Sequence, residues 1–450
     1  MKTIFLFVSS EVYTSDLLRT EYIKYLSSKY IVVVLLPFSK SEIDSLNYYQ
    51  QSNIIYISWP TESRFWLTMK SLRLLMINEF DYLKNTTALV QRKNYAYRLG
   101  FRGKFAYYFF RLLTKLGIKI TANFCTKLEL LFAPTKSSLF DNLLKRYNPR
   151  ALLTATPGFM RNEAELIILA KRKKITTAAI NFSWDNLSSK ASRMRKVDYM
   201  IVWNNLMREE ALNIHRYQPE NIFVSGSARF DHYFKEDPKE VTREEFLKSK
   251  GLDPANKTIL FSTCSPGVFA ENKEVIQNIL NWRLENKLVN YSNLYIRLHP
   301  KDLQDYQKFK GMKNVFIEKG FTSYQREGTD KKLLEMSEGD LMNLKYTFKY
   351  CDLNINCAST ISLEACAFDL PVINIFIGHY YGRYHYKPIV DSGAVKLVDY
   401  NQELLEAINT YLKNPEEEKS ERRRLMERYI QLTDNLSYKR NVDFLTKIIN

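Results

Sequence analysis

Leu353-Asn354-Ile355-Asn356-Cys357-Ala358-Ser359-Thr360-Ile361-Ser362-Leu363-Glu364-Ala365 passes from a short apolar run directly into a helical pattern. Leu353 to Asn356 reads as a buried strand, and the helix that follows carries Ser359 and Thr360 in its first turn. Unpaired amides at a helix start, the helix dipole and two hydroxyls favour phosphate oxygens. About sixty residues earlier Leu294-Tyr295-Ile296 reads as a second buried strand, closed by Arg297-Leu298-His299-Pro300. Pro300 stops sheet pairing and leaves His299 at the carboxyl end. Taken singly, Ser359 reads as a plain helix cap and His299 as a plain strand end. Two such segments on nearby βα units point instead to a nucleotide mono- or diphosphate site, because ligands of doubly wound sheets lie outside the carboxyl ends of strands.

Working outward, strands are expected at Thr3 to Val8, Ile31 to Leu36 and Ile54 to Ile57. A helix from about Asp16 to Ser28 carries Leu18, Tyr22 and Leu26 on one face. The rhythm resumes with Ala151 to Thr154, a helix through Glu163 to Lys171, Thr177 to Phe182 and Tyr199 to Trp203. A second series begins near Asn221, with strands at Thr258 to Ser262, Leu294 to Leu298, Val315 to Ile317, Leu353 to Asn356, Val372 to Phe376 and Val395 to Val398. Asn401 is expected to cap a helix whose Leu404, Leu405, Ile408 and Leu412 share a face. Strands alternating with helices over this length predict an α/β protein of two doubly wound Rossmann-like domains facing a central cleft. The expected division is 1–220, with a helical insertion at about 61–136, then 221–425, then a helix in 426–450 packing back on the first domain.

The 450 residues suffice for two or three domains with a core in each. Five cysteines, none spaced as CxxC, argue against a disulfide framework and a zinc site, so a reducing cytoplasm is the expectation. Met1 to Val8 imitates a short signal peptide without a convincing small-residue cleavage site, and a strand followed by a helix fits better. No apolar stretch reaches the roughly twenty residues of a membrane-spanning helix.

The net charge of +17 is uneven: Thr61 to Lys136 holds 14 Lys or Arg against 4 Asp or Glu. Phe65, Trp66, Tyr95, Tyr97, Phe101, Phe105, Tyr107, Tyr108, Phe109 and Phe110 lie in the same segment. Cations among aromatics suit an anionic membrane surface, and the alternative is an insertion whose aromatics are core and whose charges are solvated. Single-stranded nucleic acid would also suit them, but no nucleic-acid motif occurs and no such partner is expected.

Ser183-Trp184-Asp185-Asn186-Leu187-Ser188-Ser189-Lys190 follows the strand Thr177 to Phe182. A carboxylate there can take a proton from an attacking hydroxyl, or Asp185 can close an Asx turn. Glu11 and Asp16, after the first strand, are rival bases. Asp16 is also a candidate helix N-cap, and Arg19 can pair with it or with a substrate phosphate. Ser265-Pro266-Gly267 resembles a tight turn, either a plain one or one whose amides can approach a phosphate. Glu364 is not at capping-box spacing from Ser359 or Thr360, and a carboxylate there can accept both hydroxyls of a ribose or simply make a favourable contact with the helix dipole. His379, Arg383 and His385 cluster without a third acidic or His partner, so no metal is expected.

The chain resembles bacterial GT-B glycosyltransferases that build surface polysaccharides. The resemblance runs from Ser183 to about Val398 and rests on Ser183-Trp184-Asp185-Asn186, Ser225-Gly226-Ser227-Ala228-Arg229-Phe230-Asp231, Arg297-Leu298-His299-Pro300, the Ala358 to Ala365 segment and Tyr386-Lys387-Pro388-Ile389-Val390-Asp391-Ser392-Gly393-Ala394. The His-Pro pair and the Ser/Thr helix start are also similar to the donor-phosphate motifs of sialyl- and Kdo-type transferases and of CDP-glycerol glycerophosphotransferases. In that last family Trp-His-Gly stands where this chain has Trp184-Asp185-Asn186, which favours Asp185 over Asp16 as base and counts against polyol-phosphate transfer.

The resemblance implies a metal-independent, cofactor-free transferase moving a sugar from a nucleotide donor to a glycan or lipid-linked glycan. Its place would be cytoplasmic, on the inner face of the cytoplasmic membrane through 61–136. Asp185 and His299 would be catalytic, with Ser265, Gly267, Arg297, His299, Ser359, Thr360 and Glu364 on the donor. Glu11, Asp16, Arg19, Trp184, Asn186 and Lys190 would face the acceptor. The alternatives are a CDP-glycerol-type polyol phosphotransferase, a nucleotide-sugar epimerase of the same fold, and a non-catalytic scaffold of a polysaccharide assembly complex.

Overall fold

The computed structural model describes residues 1–449 apart from 61–63, 80–85, 134–137, 161, 290, 326–331, 358–359 and 379–386. Ser359 and the cluster His379, Arg383 and His385 thus lie outside the described residues.

Apolar runs make seven short strands in the first half: β1 Thr3–Phe7, β2 Ile31–Leu36, β3 Ile54–Ser58, β4 Ala151–Thr154, β5 Thr176–Ile180, β6 Tyr199–Val202 and β7 Ile222–Val224. All pair parallel in the order β3-β2-β1-β4-β5-β6-β7. Phe5 stands opposite Val33 on one side and Leu152 on the other. Alternation then sends Ile4, Leu6, Val32, Val34 and Leu153 into one core and Phe5, Phe7, Val33, Leu35 and Leu152 into another. Apolar cores on both faces are why these strands read as continuous hydrophobic runs.

The second half builds β8 Lys257–Ser262, β9 Ser292–Arg297, β10 Val315–Glu318, β13 Leu353–Asn356, β14 Val372–Ile375 and β15 Lys396–Val398, parallel in the order β10-β9-β8-β13-β14-β15. β11 Thr322–Gln325 and β12 Lys332–Glu335 form a separate two-stranded sheet. Strand order reverses direction at β1/β4 in one sheet and at β8/β13 in the other. Those are the switch points where open α/β sheets bind ligands.

Two compact units result: 1–229 with 324–333 and 436–450, and 230–323 with 334–435. The division falls after Arg229 rather than at 220, because Ile222–Val224 adds an edge strand to the first sheet by pairing with β6. The helix Lys419–Tyr429 belongs to the second unit, and only the later helix Ser437–Ile449 belongs to the first. There Asp443 accepts from Tyr25 at 3.0 Å and from Lys29 at 2.5 Å, and Phe444 stacks on Phe223 at 4.4 Å. Asn401 precedes the helix Gln402–Lys413 as expected, but its side chain makes no capping bond.

The insertion contributes helices Arg64–Met76, Thr86–Arg98, Gly100–Lys115 and Ala122–Phe132. A buried charge triad ties it to the sheet. Arg195 grips the Glu129 carboxylate at 2.7 and 3.1 Å while Arg73 approaches it at 3.4 Å. Arg195 also donates to the Gly158 carbonyl, and Arg73 to the Met194 carbonyl. Burial, followed by the neighbouring Arg195, pushes Arg73 down to about 10. Among the described residues no helix is long and apolar enough to cross a membrane.

Candidate functional site

In the second unit a cavity of about 300 Å³ opens at the carboxyl ends of β8, β9 and β13. Ser265, Arg297, His299 and Thr360 line it, joined by Thr263 and Asn356. The backbone N–H of His299 donates to Thr263 Oγ1 at 2.9 Å, and that of Lys301 donates to His299 Nδ1 at 3.0 Å. A ring nitrogen that accepts an N–H carries no proton, so the neutral imidazole bears its proton on Nε2. Burial, then the Lys301 ammonium, holds this imidazole below its ordinary pKa. His299 is therefore a neutral donor beside the cavity, suited to a phosphate oxygen.

Two residues that sequence reasoning passed over hold this geometry. Asn272 opens the helix Asn272–Leu284 fully buried, bonding both the N–H and the carbonyl of Cys264 at 2.9 Å. Its Nδ2 also reaches Asp302 Oδ2 at 3.2 Å, where Tyr306 donates at 2.6 Å. The N–H of Asp302 in turn donates to the His299 carbonyl at 2.8 Å. The loop after β8 and the loop after β9 are thereby one bonded unit. An Asn at a helix start and an Asp three residues beyond a His are the only local signals for it.

Other expected donor residues are placed differently. Arg297 is paired with Glu318 and donates to the Gly320 carbonyl at 3.0 Å, so its cation is satisfied inside the unit rather than held for a ligand. Gly267 is not among the lining residues, and the Ser265 carbonyl accepts the N–H groups of Val268 and Phe269. Glu364 is fully buried one turn past Thr360 and accepts from Tyr233 at 2.9 Å, away from the cavity lining. Tyr233 is packed by Phe230, Phe348 and Phe368. A ribose role for Glu364 would need that aromatic pack to open. Beneath the short helix Thr360–Cys366, the alternation of Leu353-Asn354-Ile355-Asn356 gives a buried polar layer, in which Ser362 donates to Asn356 or Asn374, each at 3.1 Å.

The first unit gathers carboxylates at its own switch point. Glu163, fully buried at the start of the helix Glu163–Arg172, accepts from Ser9 at 2.8 Å, from the Thr156 N–H at 3.0 Å, from the Thr156 hydroxyl and from the Met160 N–H at 3.2 Å. Burial outweighs these four donors and pushes its pKa up to about 7. Tyr13, its ring 4.3 Å from that of Phe182, has a phenol raised first by burial and then by Glu163, Asp185 and Asp16, with Arg229 opposing. The rival bases Asp16 and Asp185 thus act on one phenol. Glu163 was missed because only tertiary packing completes its surroundings: Thr156 and Met160 lie in the loop leading into its own helix, whereas Ser9 comes from the distant end of β1. The available signal was a carboxylate on the helix face that Ile167 and Ala170 bury.

Asp185 immediately precedes the helix Asn186–Ser189 without a side-chain capping bond, and accepts instead from the hydroxyls of Ser183 at 2.5 Å and Ser189 at 2.7 Å. In place of the Asx turn that was the alternative to a base, two hydroxyl donors meet the carboxylate. Trp184 and Asn186 are buried, and Asn186 receives the Lys190 ammonium at 2.7 Å, so both shape the turn rather than offer a surface. Lys190, 4.8 Å from the Phe159 ring centre, is lowered in pKa by burial against the raising effect of Asp185. Asp16 is no N-cap. The expected single helix is two, Glu11–Leu18 and Glu21–Lys29, capped by Ser10 and Thr20, and Asp16 lies buried inside the first. Thr20 breaks the run by accepting from the Tyr22 N–H while donating to the Asp16 carbonyl. Glu11 receives the Ser10 hydroxyl, and Arg19 donates to the Leu46 carbonyl at 2.6 Å over the Tyr48 ring.

Two all-parallel doubly wound units, each with polar groups at its switch point, define the GT-B fold. No protein-family model and no curated protein matches the chain. Solved structures do. The chain is similar over 99% of its length to all of the Methanocaldococcus jannaschii UDP-GlcNAc 2-epimerase in complex with UDP-GlcNAc and UDP, at 14% identity and a TM-score of 0.51. The UDP-GlcNAc 2-epimerase of Neisseria meningitidis bound to UDP-GlcNAc gives the same coverages and identity with a TM-score of 0.50. The wall teichoic acid polymerase TagF gives 11% identity and a TM-score of 0.53, over 100% of this chain and 88% of its own. At such identities the likeness is one of fold.

Proposed function

We propose that the protein is an enzyme acting on a nucleotide-activated sugar, whose phosphates occupy the cavity of the second unit. The observation that carries this is the neutral, Nε2-protonated His299 beside that cavity, with Thr360 and Ser265 on its walls. Such donors meet phosphate charge without a metal ion. A panel of UDP, CDP, GDP and CMP in a thermal-unfolding assay tests it. One nucleotide should raise the midpoint by the equivalent of about 2.7 kcal/mol at a hundredfold excess over its dissociation constant. Protection by none of them would remove the proposal.

Of the finer readings, epimerisation of the nucleotide sugar has the support of end-to-end likeness to two UDP-GlcNAc 2-epimerases. Glycosyl transfer to a lipid-linked glycan, with Asp185 as base, is the second reading, favoured by the basic aromatic segment 61–136. Incubating the protein with UDP-GlcNAc in deuterated water, without acceptor, separates the two. Deuterium entering the sugar ring supports epimerisation, whereas an unlabelled sugar that turns over only with added acceptor supports transfer.

A further inference from the structure

The insertion shows solvent what globular surfaces bury. Most large apolar side chains exposed among the described residues lie between Leu67 and Phe132. They are densest on the helix Gly100–Lys115. One side of it is buried through Gly103 and Tyr107, with Ala106 and Phe110 packed against the small core of Leu75, Ala96 and Tyr107. The opposite side carries Phe101, Phe105, Tyr108, Phe109 and Leu112, exposed by 84%, 66%, 55%, 47% and 53%, and Leu116 continues it. At 3.6 residues per turn these positions span roughly a 100° arc. Exposed Arg102 borders the arc on one side, and exposed Lys104, Arg111 and Lys115 border it on the other.

Charge selects the occupant of this face. Between Asp81 and Glu129 the chain has ten Lys or Arg and no acidic residue. A second copy of the chain docked through the same face would set like charges against each other. Nucleic acid would satisfy the cations and leave Leu112 and Leu116 in water. A bilayer with anionic headgroups meets both features, hydrocarbon taking the apolar arc and headgroups the flanking cations. A cavity of about 280 Å³ between helices Arg64–Met76 and Ala122–Phe132, with Met69, Leu72 and Phe132 in its lining, adds an apolar recess to the same segment.

We infer that the helix Gly100–Lys115 is an interfacial docking face that lies in the headgroup layer of an anionic membrane. This holds for either reaction above. The test is co-sedimentation of the full chain with vesicles of phosphatidylcholine alone or with about a third phosphatidylglycerol. The protein should pellet with the anionic vesicles at low salt and release in part at high salt. Replacing Phe101, Phe105 and Phe109 together by Ser should lower the partition coefficient at least about tenfold without moving the thermal midpoint. If that variant fails to fold, replacing Arg102, Lys104, Arg111 and Lys115 by Gln should abolish the preference for anionic over neutral vesicles. Absence of binding by the unaltered chain, or binding indifferent to both variants, would overturn the inference. A dimer that the Phe variant dissolves would assign the face to a second copy and overturn it as well.

Discussion

The Ser9 hydroxyl, just past the end of β1, donates at 2.8 Å to Oε1 of Glu163, which opens the helix after β4. This bond crosses the switch point of the first sheet. It also fixes a carboxyl group whose pKa stands near 7 against a usual 4.5. A raised carboxyl pKa means that the folded state keeps a proton the unfolded chain releases between pH 4.5 and 7. The stability that this group contributes is therefore full below that window and is lost through it, by on the order of 3 kcal/mol once the pH exceeds 7. Glu163→Gln cannot titrate, so the stability difference between the two proteins should change with pH across the window and level off outside it. Urea midpoints followed by tryptophan fluorescence report it, Trp59, Trp66, Trp184 and Trp203 all lying in the first unit. Parallel pH curves would show that the Glu163 carboxyl keeps its ordinary pKa in the folded chain.

His299 offers a proton from a neutral ring, which separates its contribution from that of a cation. His299→Ala should weaken nucleotide binding roughly ten- to a hundredfold, the range for one hydrogen bond to a charged group. Because burial and Lys301 hold the imidazole below 6.5, binding by the unaltered protein should stay flat from there upward. Titration calorimetry at several pH values measures both, and affinity that falls as pH rises through neutrality would mean that an imidazolium is the ligand.

Much of the architecture is legible locally because each buried strand is a compact apolar run. Ile31–Leu36 and Lys257–Ser262 need no distant partner to be recognised. His299 and Thr360 were legible for the same reason, since each sits at a strand or helix end marked by its neighbours. What escaped was set by convergence or by a small local break. Glu163 acquires its surroundings from Ser9, which is 154 residues away, and Asn272 from Asp302, 30 residues on. The helical spacing of Leu18, Tyr22 and Leu26 persists across the break at Thr20, so periodicity hides two helices as one. Glu364 follows Thr360 by one turn and shares its side of the helix, but only tertiary packing shows Tyr233 covering it.

The bond between Asn272 and Asp302 predicts an asymmetry between two substitutions. Asn272→Ala removes the partners of the Cys264 backbone and should cost about 1–3 kcal/mol while loosening the loop behind His299. Asn272→Asp keeps the acceptor for the Cys264 N–H but sets a second carboxylate against Asp302 at hydrogen-bond distance. Repulsion between buried like charges should make Asn272→Asp the more damaging at pH 8 and bring the two together at low pH, where a shared proton relieves it. Thermal unfolding at the two pH values decides the matter, with the aspartate variant as stable as the alanine at pH 8 being the contrary result.

Glu129 is the one carboxylate bonded to both Arg73 and Arg195 within the buried triad. Its worth is larger broken than intact. A triad of this kind contributes little net stability, because withdrawing three charges from water offsets most of their attraction, whereas deleting the shared anion leaves two cations buried. Glu129→Leu should therefore destabilise the first unit by about 3–5 kcal/mol. Arg195→Met should cost less when made together with Glu129→Leu than when made alone, since each removes what the other leaves unpaired. The same cycle bears on the membrane face, for Arg73 joins the helix Arg64–Met76 to the Met194 carbonyl and so fixes the insertion on its sheet. Vesicle binding should survive in the double variant if the helix Gly100–Lys115 acts through its own exposed side chains, and urea titration of the four proteins of the cycle gives the coupling directly. Strict additivity of the two substitutions would mean that Glu129 and Arg195 do not neutralise each other in the folded chain.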